Sequence, residues 1–268
     1  MPITNSVKNI IKQQVPNYEI HQFSKKKTKY CICIPVLNEG ERITKQLQRM
    51  LPFSKSVDII LADWGSTDGS TKPSALKKMN VRTLLILKSP GKQGTQLRMA
   101  FSYALQQGYE GIIQIDGNNK DGIQAIPDFI KALDEGYDYI QGSRFVKGGK
   151  ATNTPIMRYF AVRLLAAPIL SMGAGYCYTD VTNGFRGYSK KYLTHPKVQP
   201  FRDIFVNYEL NMYLTVRANQ LGLKTKEIPV ERKYAPGRVH TKISFIGGNS
   251  NFLLSQIKAA LGYYNPKN

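Results

Sequence analysis

From Tyr30 onward two apolar rhythms take turns along the chain. Tyr30 to Val36 is a short β-branched run, and Val57 to Asp63, Arg82 to Lys88, Gly111 to Asp116 and Tyr137 to Ser143 are similar. Each predicts a strand. Between them the apolar positions fall at helical spacing. Ile43, Leu47, Met50 and Leu51 make one stripe, Leu97, Phe101, Ala104 and Leu105 a second, and Ile126, Phe129, Ile130 and Leu133 a third. Continuously apolar strands alternating with such helices predict an α/β fold, with a mostly parallel central sheet covered on both faces. No internal repeat or low-complexity tract breaks the pattern.

In such sheets ligands sit beyond the carboxyl ends of the strands. Three strand ends carry polar turns. The first ends in Pro35-Val36-Leu37-Asn38-Glu39, the second in Asp63-Trp64-Gly65-Ser66-Thr67-Asp68-Gly69-Ser70, the fourth in Asp116-Gly117-Asn118-Asn119-Lys120-Asp121. One such loop is ordinary turn chemistry, because turns and N-caps use the same residues. Three in one register predict a polar ligand pocket.

Composition narrows the class. The chain has 268 residues, 42% of them apolar, and 38 basic against 18 acidic residues give a net charge of +20. That balance belongs to a folded domain large enough to need no disulfide or zinc staple. An odd count of cysteines (Cys31, Cys33, Cys177) argues for a reducing compartment, and the N-terminus lacks an apolar signal region. Cys31 and Cys33, two apart on a strand, read as small buried residues, and the three histidines are too dispersed for a zinc motif. The charge attracts polyanions: phosphorylated small molecules or an anionic membrane surface. Nucleic-acid signatures are absent, so no nucleic-acid partner is expected. Residues 1–29 read as a loosely attached basic arm, 30–245 as the main domain and 246–268 as a C-terminal amphipathic helix, from Leu253, Ile257, Ala260 and Leu261. Tyr159 to Tyr176 is the most apolar stretch, but Arg163 and Pro168 make it read as too broken to span a bilayer. A cytoplasmic protein, peripheral on the inner face of a membrane, is expected.

The order of the motifs resembles glycosyltransferase family 2, and within it the dolichol-phosphate mannosyltransferase-like branch, from about Tyr30 to Lys242. Pro35 to Glu39 resembles P-x-x-N-E. Asp63 to Ser70 resembles D-D-G-S-x-D-G-T, with Trp64 for the second Asp. Gly91 through Arg98 resembles G-K-G-x-A-x-R, Gly142 to Phe145 resembles G-S-R-F/Y, and Asp180 to Arg186 resembles D-x-T-S-G-F-R. The resemblance implies a GT-A fold, a nucleotide-sugar donor and inversion at the anomeric carbon. It assigns Pro35, Asn38, Glu39 and Asp63 to the nucleotide pocket, with Asp63 reading the base edge. Lys92 and Arg98 are expected to face the donor diphosphate.

At the metal position the chain departs from the family. D-x-D followed by Gln is replaced by Asp116, Asn118 and Lys120. Asp116 and Asn118 offer oxygen to a divalent cation (Mg or Mn), with Asp121 nearby, whereas Lys120 cannot bind one. Three expectations follow: weak metal binding, transfer without metal in which Lys120 supplies the positive charge, or a nucleotide-binding module without transfer activity. On the acceptor side, Arg144, Arg158 and Lys242 match the pattern that holds a lipid monophosphate, with Arg232 and Arg238 competing as partner arginine. A hydroxyl of a growing cell-surface glycan is the alternative acceptor. It needs a carboxylate base, for which Asp180 and Glu209 are the candidates.

Overall fold

The structure, a computed structural model, describes residues 14–235 and 247–267. The elements follow one another as β1 (Tyr18–Gln22), β2 (Tyr30–Val36), α1 (Glu41–Met50), β3 (Asp58–Asp63), α2 (Pro73–Lys78), β4 (Val81–Leu87), α3 (Gln93–Gln106), β5 (Gly111–Gln114), α4 (Ile126–Asp134), β6 (Tyr139–Ser143), β7 (Lys150–Thr152), α5 (Ile156–Ala174), β8 (Arg186–Ser189), α6 (Lys190–Leu193), α7 (Glu209–Gln220), β9 (Thr225–Pro229), β10 (Glu231–Lys233) and α8 (Gly247–Ala260). An eight-stranded sheet runs in the order β1-β4-β3-β2-β5-β8-β6-β9, and β7 and β10 form a separate parallel ribbon. Only β1 and β8 run against their neighbours. The α/β expectation with a mostly parallel sheet is therefore met.

Strand pleating explains the two-sided core. Every residue of β2 and β3 is buried. Cys31, Cys33, Ile60 and Ala62 face one cluster with α3 and α7; Ile32, Ile34, Ile59 and Leu61 face the other with α1 and α4. The two cysteines are thus small core residues on one face, as their spacing predicts. Helix α3 is buried along its whole length from Gly94 to Leu105, so it has no polar face on which a charged residue could sit in water.

Two segments differ from expectation. Tyr18–Gln22, read as part of an arm, pairs antiparallel with β4 and closes that edge of the sheet. Its side chains alternate too weakly to announce a strand, because an edge strand buries little. Helix α5 is the second case. It runs unbroken for 19 residues, long and apolar enough by length and composition to cross a membrane. A π-helical turn over Ala161–Ala166 directly before Pro168 accommodates the proline that should have stopped it. One side of α5 packs on α7 and α8, and Gly173 lies so close to Ala260 that any side chain there would collide with α8. The other side leaves Ile156, Met157, Phe160, Leu164, Leu165 and Met172 exposed.

Candidate active site

The three polar strand ends lie side by side, because β3, β2 and β5 are neighbours in the sheet. After β2, Asn38 takes a positive φ, donates its N–H to Ser66 Oγ and accepts from the Thr67 N–H at 2.8 Å. Asp63, at the tip of β3, is buried. Its carboxylate accepts from the Ser66 N–H and hydroxyl and from the Thr71 hydroxyl. These bonds tie the first two motif loops together, with Pro35 buried behind them and Glu39 paired to Arg42 at 2.9 Å. Asp63 thus has a clear local task, which is to hold the 64–71 loop.

The third strand end is braced from α1. Gln46 donates to the Asp116 carbonyl at 2.9 Å and accepts from the Asn119 N–H at 2.8 Å, while Arg49 donates to the Asn119 side chain. From behind, Gly184 touches the Asp116 carboxylate so closely that a Cβ there would overlap it. That contact is a physical reason for the glycine in the D-x-T-N-G-F-R segment.

Against this carboxylate lies a guanidinium. Arg232, on β10, donates through Nη2 to Asp116 at 3.0 Å and through Nη1 to both oxygens of Asp121 at 2.7 and 2.8 Å. Asp121 is fully buried, whereas the Asp116 side chain keeps 21% of its surface open. Burial pushes the Asp121 carboxyl up and Arg232 pulls it back. In the same contact Arg232 overcomes its own burial and is held firmly protonated by the two aspartates. Two residues further on, Tyr234 carries three cations around its ring: Lys120 Nζ at 5.1 Å, and the Arg158 and Arg232 guanidinium carbons at 5.6 and 5.8 Å. Arg158 also donates to its hydroxyl at 3.2 Å. Burial alone would raise the Tyr234 phenol, yet Arg232, Arg144 and Arg158 outweigh it and hold it below its ordinary value. Lys120 is lowered by burial and by Arg232.

Asp116, Asn118, Lys120, Arg158 and Arg232 are therefore brought together. Arg144 and Asp180 form a second, wholly buried pair. Arg144 Nε and Nη2 meet the two Asp180 oxygens at 2.6 and 3.0 Å, and Thr182 closes the contact. Arg98 lies elsewhere: buried in α3, it donates to the carbonyls of Phe205, Phe201 and Gln14. Lys92 is exposed at the start of that helix, and Glu209 accepts from the Asn207 N–H at the start of α7. Lys242 and Arg238 lie outside the described residues. Tyr234 was missed by the motif reading. Its only signal is that Tyr234 follows Arg232 by two residues in extended chain, Arg232 on β10 and Tyr234 just past its end, which puts the two on one face.

No family model matches the chain. Its fold is the GT-A fold, and the resemblance to the polyprenyl-phosphate branch of family 2 glycosyltransferases read from the motifs is shared by the relatives it matches. The chain is 26% identical over 202 residues to a polyprenol monophosphomannose synthase of Mycolicibacterium smegmatis, covering 74% of this chain and 75% of that protein. It is 25% identical over 200 residues to an undecaprenyl-phosphate mannosyltransferase of Micrococcus luteus, covering 74% and 80%. Among solved structures, glucosyl-3-phosphoglycerate synthase of Mycobacterium tuberculosis with Mn2+, UDP and glucosyl-3-phosphoglycerate superposes with a TM-score of 0.61 at 17% identity, over 89% of this chain and 81% of that one.

Mn2+ beside UDP in that neighbour means that a divalent cation is compatible with this fold. The donor set of this chain fits one poorly. The Asp116 and Asp121 carboxylates already face Arg232, and the Asn118 side-chain oxygen faces the Lys120 N–H at 3.2 Å. Among the described residues no group of three or more His, Cys, Asp or Glu could hold a metal ion.

Proposed function

We propose that this chain moves a sugar from a nucleoside diphosphate to the phosphate of a polyprenyl carrier at a membrane surface. One observation carries the reading. Arg158, which reaches into the cation cluster at Tyr234, stands on the same helix as the exposed Ile156, Met157 and Phe160. A lipid phosphate needs that pairing: a cation for the headgroup beside an apolar surface for the chain. Helix α8 and the turn after it also leave apolar residues exposed, namely Leu254, Ile257, Leu261 and Tyr263. The excess of basic residues favours an anionic leaflet.

The chemistry fits the carboxylates present. A phosphate monoester is largely ionised at neutral pH, its second pKa being about 6. One of its oxygens attacks the anomeric carbon in line, the bond from that carbon to the donor phosphate oxygen breaks, and the nucleoside diphosphate leaves with the electron pair. The configuration inverts, and no general base is needed. A sugar hydroxyl would need one, yet Asp180 is bound by Arg144, Asp116 by Arg232, and Glu209 is engaged by the Asn207 N–H at the start of α7. The phosphate acceptor is therefore favoured over a glycan hydroxyl. Asp63, Asn38 and Glu39 shape the nucleotide pocket, Arg158 positions the acceptor phosphate, and Arg144 holds Asp180 in place.

The test is transfer of labelled sugar from nucleotide donors to polyprenyl phosphate in vesicles. Arg158→Ala is expected to lower transfer about 100-fold, the scale of one lost charge-stabilising contact, while nucleoside-diphosphate affinity falls far less. Equal loss of nucleotide binding would remove Arg158 from the acceptor side. Transfer to no lipid phosphate from any donor would overturn the reading.

A further inference from the structure

At the end of β5 the fold offers a carboxylate to a cation, and in this chain a cation from the protein itself has taken it. We propose that Arg232, braced between Asp116 and Asp121 and flanked by Lys120, is the fixed counter-charge for the donor diphosphate, so that this chain binds nucleoside diphosphates without a divalent metal. The inference rests on the glycosyl-transfer reading and goes further by replacing an exchangeable ion with a residue.

Three observations support it. First, a divalent ion at Asp116 competes with a guanidinium that is also held by both oxygens of the fully buried Asp121. Withdrawing Arg232 would strand that buried carboxylate without a counter-charge. Second, Lys120 stands two residues beyond Asn118 and four beyond Asp116, with its ammonium on the face of Tyr234. A second ammonium-scale charge repels a metal and attracts a diphosphate. Third, three cations (Arg232, Lys120, Arg158) meet two carboxylates (Asp116, Asp121) around one phenol, so the cluster is positive before any ion arrives. The lowered phenol of Tyr234 reports the same field. Arg232 donates two of its nitrogens to the aspartates and keeps 9% of its side chain open, and a planar guanidinium suits a phosphate oxygen.

Backbone bonding holds the device in place. The Gly122 N–H donates to the Glu231 carbonyl at 2.8 Å and the Lys233 N–H to the Lys120 carbonyl at 2.8 Å. The strand carrying Arg232 is thereby stitched to the loop carrying Lys120 and Asp121. Such pre-paid ordering is what a fixed charge needs to act without reorganisation.

The experiment is calorimetric titration of the full chain with UDP, GDP, CDP and dTDP, each in EDTA and in MnCl2, with electron paramagnetic resonance following free Mn2+. The expected result is a dissociation constant that differs less than about tenfold between the two conditions, with no stoichiometric Mn2+ uptake. A larger gain with Mn2+, or one bound Mn2+ per chain, overturns the inference and leaves glycosyl transfer standing. If none of the four binds in either condition, the glycosyl-transfer reading falls and this inference with it. The Arg232→Met/Asp121→Asn double variant removes the guanidinium without stranding the buried Asp121, and the partly open Asp116 keeps its contact with solvent. It is expected to bind diphosphate at least about tenfold more weakly, the scale of one charge-assisted hydrogen bond, with monophosphate affinity little changed. Arg232→Lys, which keeps the charge, should recover part of the loss. Undiminished diphosphate binding by a folded double variant overturns the inference.

Discussion

Two arginine–aspartate clusters stand near the same end of the sheet, built from the same chemistry and put to different uses. Arg144 and Asp180 are sealed, their side chains 1% and 0% exposed. Arg232 meets one sealed aspartate and one, Asp116, that opens toward the site. A sealed pair can only hold the fold, because nothing can reach it. A pair with one open side can hold the fold and still present charge to a ligand. The difference comes from where each second carboxylate lies: Asp180 is in the loop before β8, whereas Asp116 lies just past the end of the central strand β5.

This contrast can be broken at its sealed side first. Asp180→Asn leaves Arg144 buried without its counter-ion, and a loss of about 3–5 kcal/mol in unfolding free energy is expected from denaturant melts. A loss under about 1 kcal/mol would mean that the pair is not structural. On the open side, Lys120→Gln should cost little stability, since Lys120 is lowered by burial and by Arg232. It should still lower turnover roughly tenfold by removing charge from the leaving group. Unchanged turnover would take Lys120 out of the site.

The sharpest test is pH. Lys120 and Tyr234 both have folded-state pKa values below their ordinary ones: Lys120 through burial and Arg232, Tyr234 through its arginines in spite of burial. For both groups the unfolded chain binds more protons across the window from the depressed value to the ordinary one. Their contribution to stability therefore rises with pH through that window. Affinity for a nucleoside diphosphate moves the other way, since a positive charge is lost and a negative one gained. Titrations on the alkaline side should show falling affinity, and Lys120→Gln/Tyr234→Phe should flatten the fall. The smallest effect belongs to the exposed Lys45–Glu41 pair on α1. Lys45→Ala is expected to leave the melting midpoint unchanged, which sets the floor for reading the others.

How far residues could be read from the chain depended on the range of the interaction. Strand β2 matches the run Tyr30–Val36 because both of its faces are buried and every position is apolar-compatible. The pocket loops were legible because turn residues recur at three strand ends. The 1–29 arm reading lost Tyr18–Gln22 to the sheet because pairing with β4 comes from a partner 60-odd residues away, and no local pattern announces it. Arg98 looked like a diphosphate ligand within its motif. Its burial follows from α3 having no water-facing side, a property that the apolar stripe alone understated. The pairing of Arg232 with Asp116 and Asp121 spans more than 100 residues of chain, and only folding brings these together. The motif spacing singled out Lys120 as the stand-in for a metal and left Arg232 as a competitor for the acceptor side.

The small parallel ribbon of β7 and β10 sets the sign of the site. Along Glu231-Arg232-Lys233-Tyr234 the side chains alternate, and Arg232 aligns with Ala151 of β7. A slip of one residue would turn Glu231 and Lys233 inward and carry Arg232 and Tyr234 out into water. The site would then lose its fixed positive charge without a single substitution. A one-residue insertion between Pro229 and Glu231 is thus a charge deletion written in chain length, and the tolerance of homologous chains to length change there is a readout of how much they depend on this arginine.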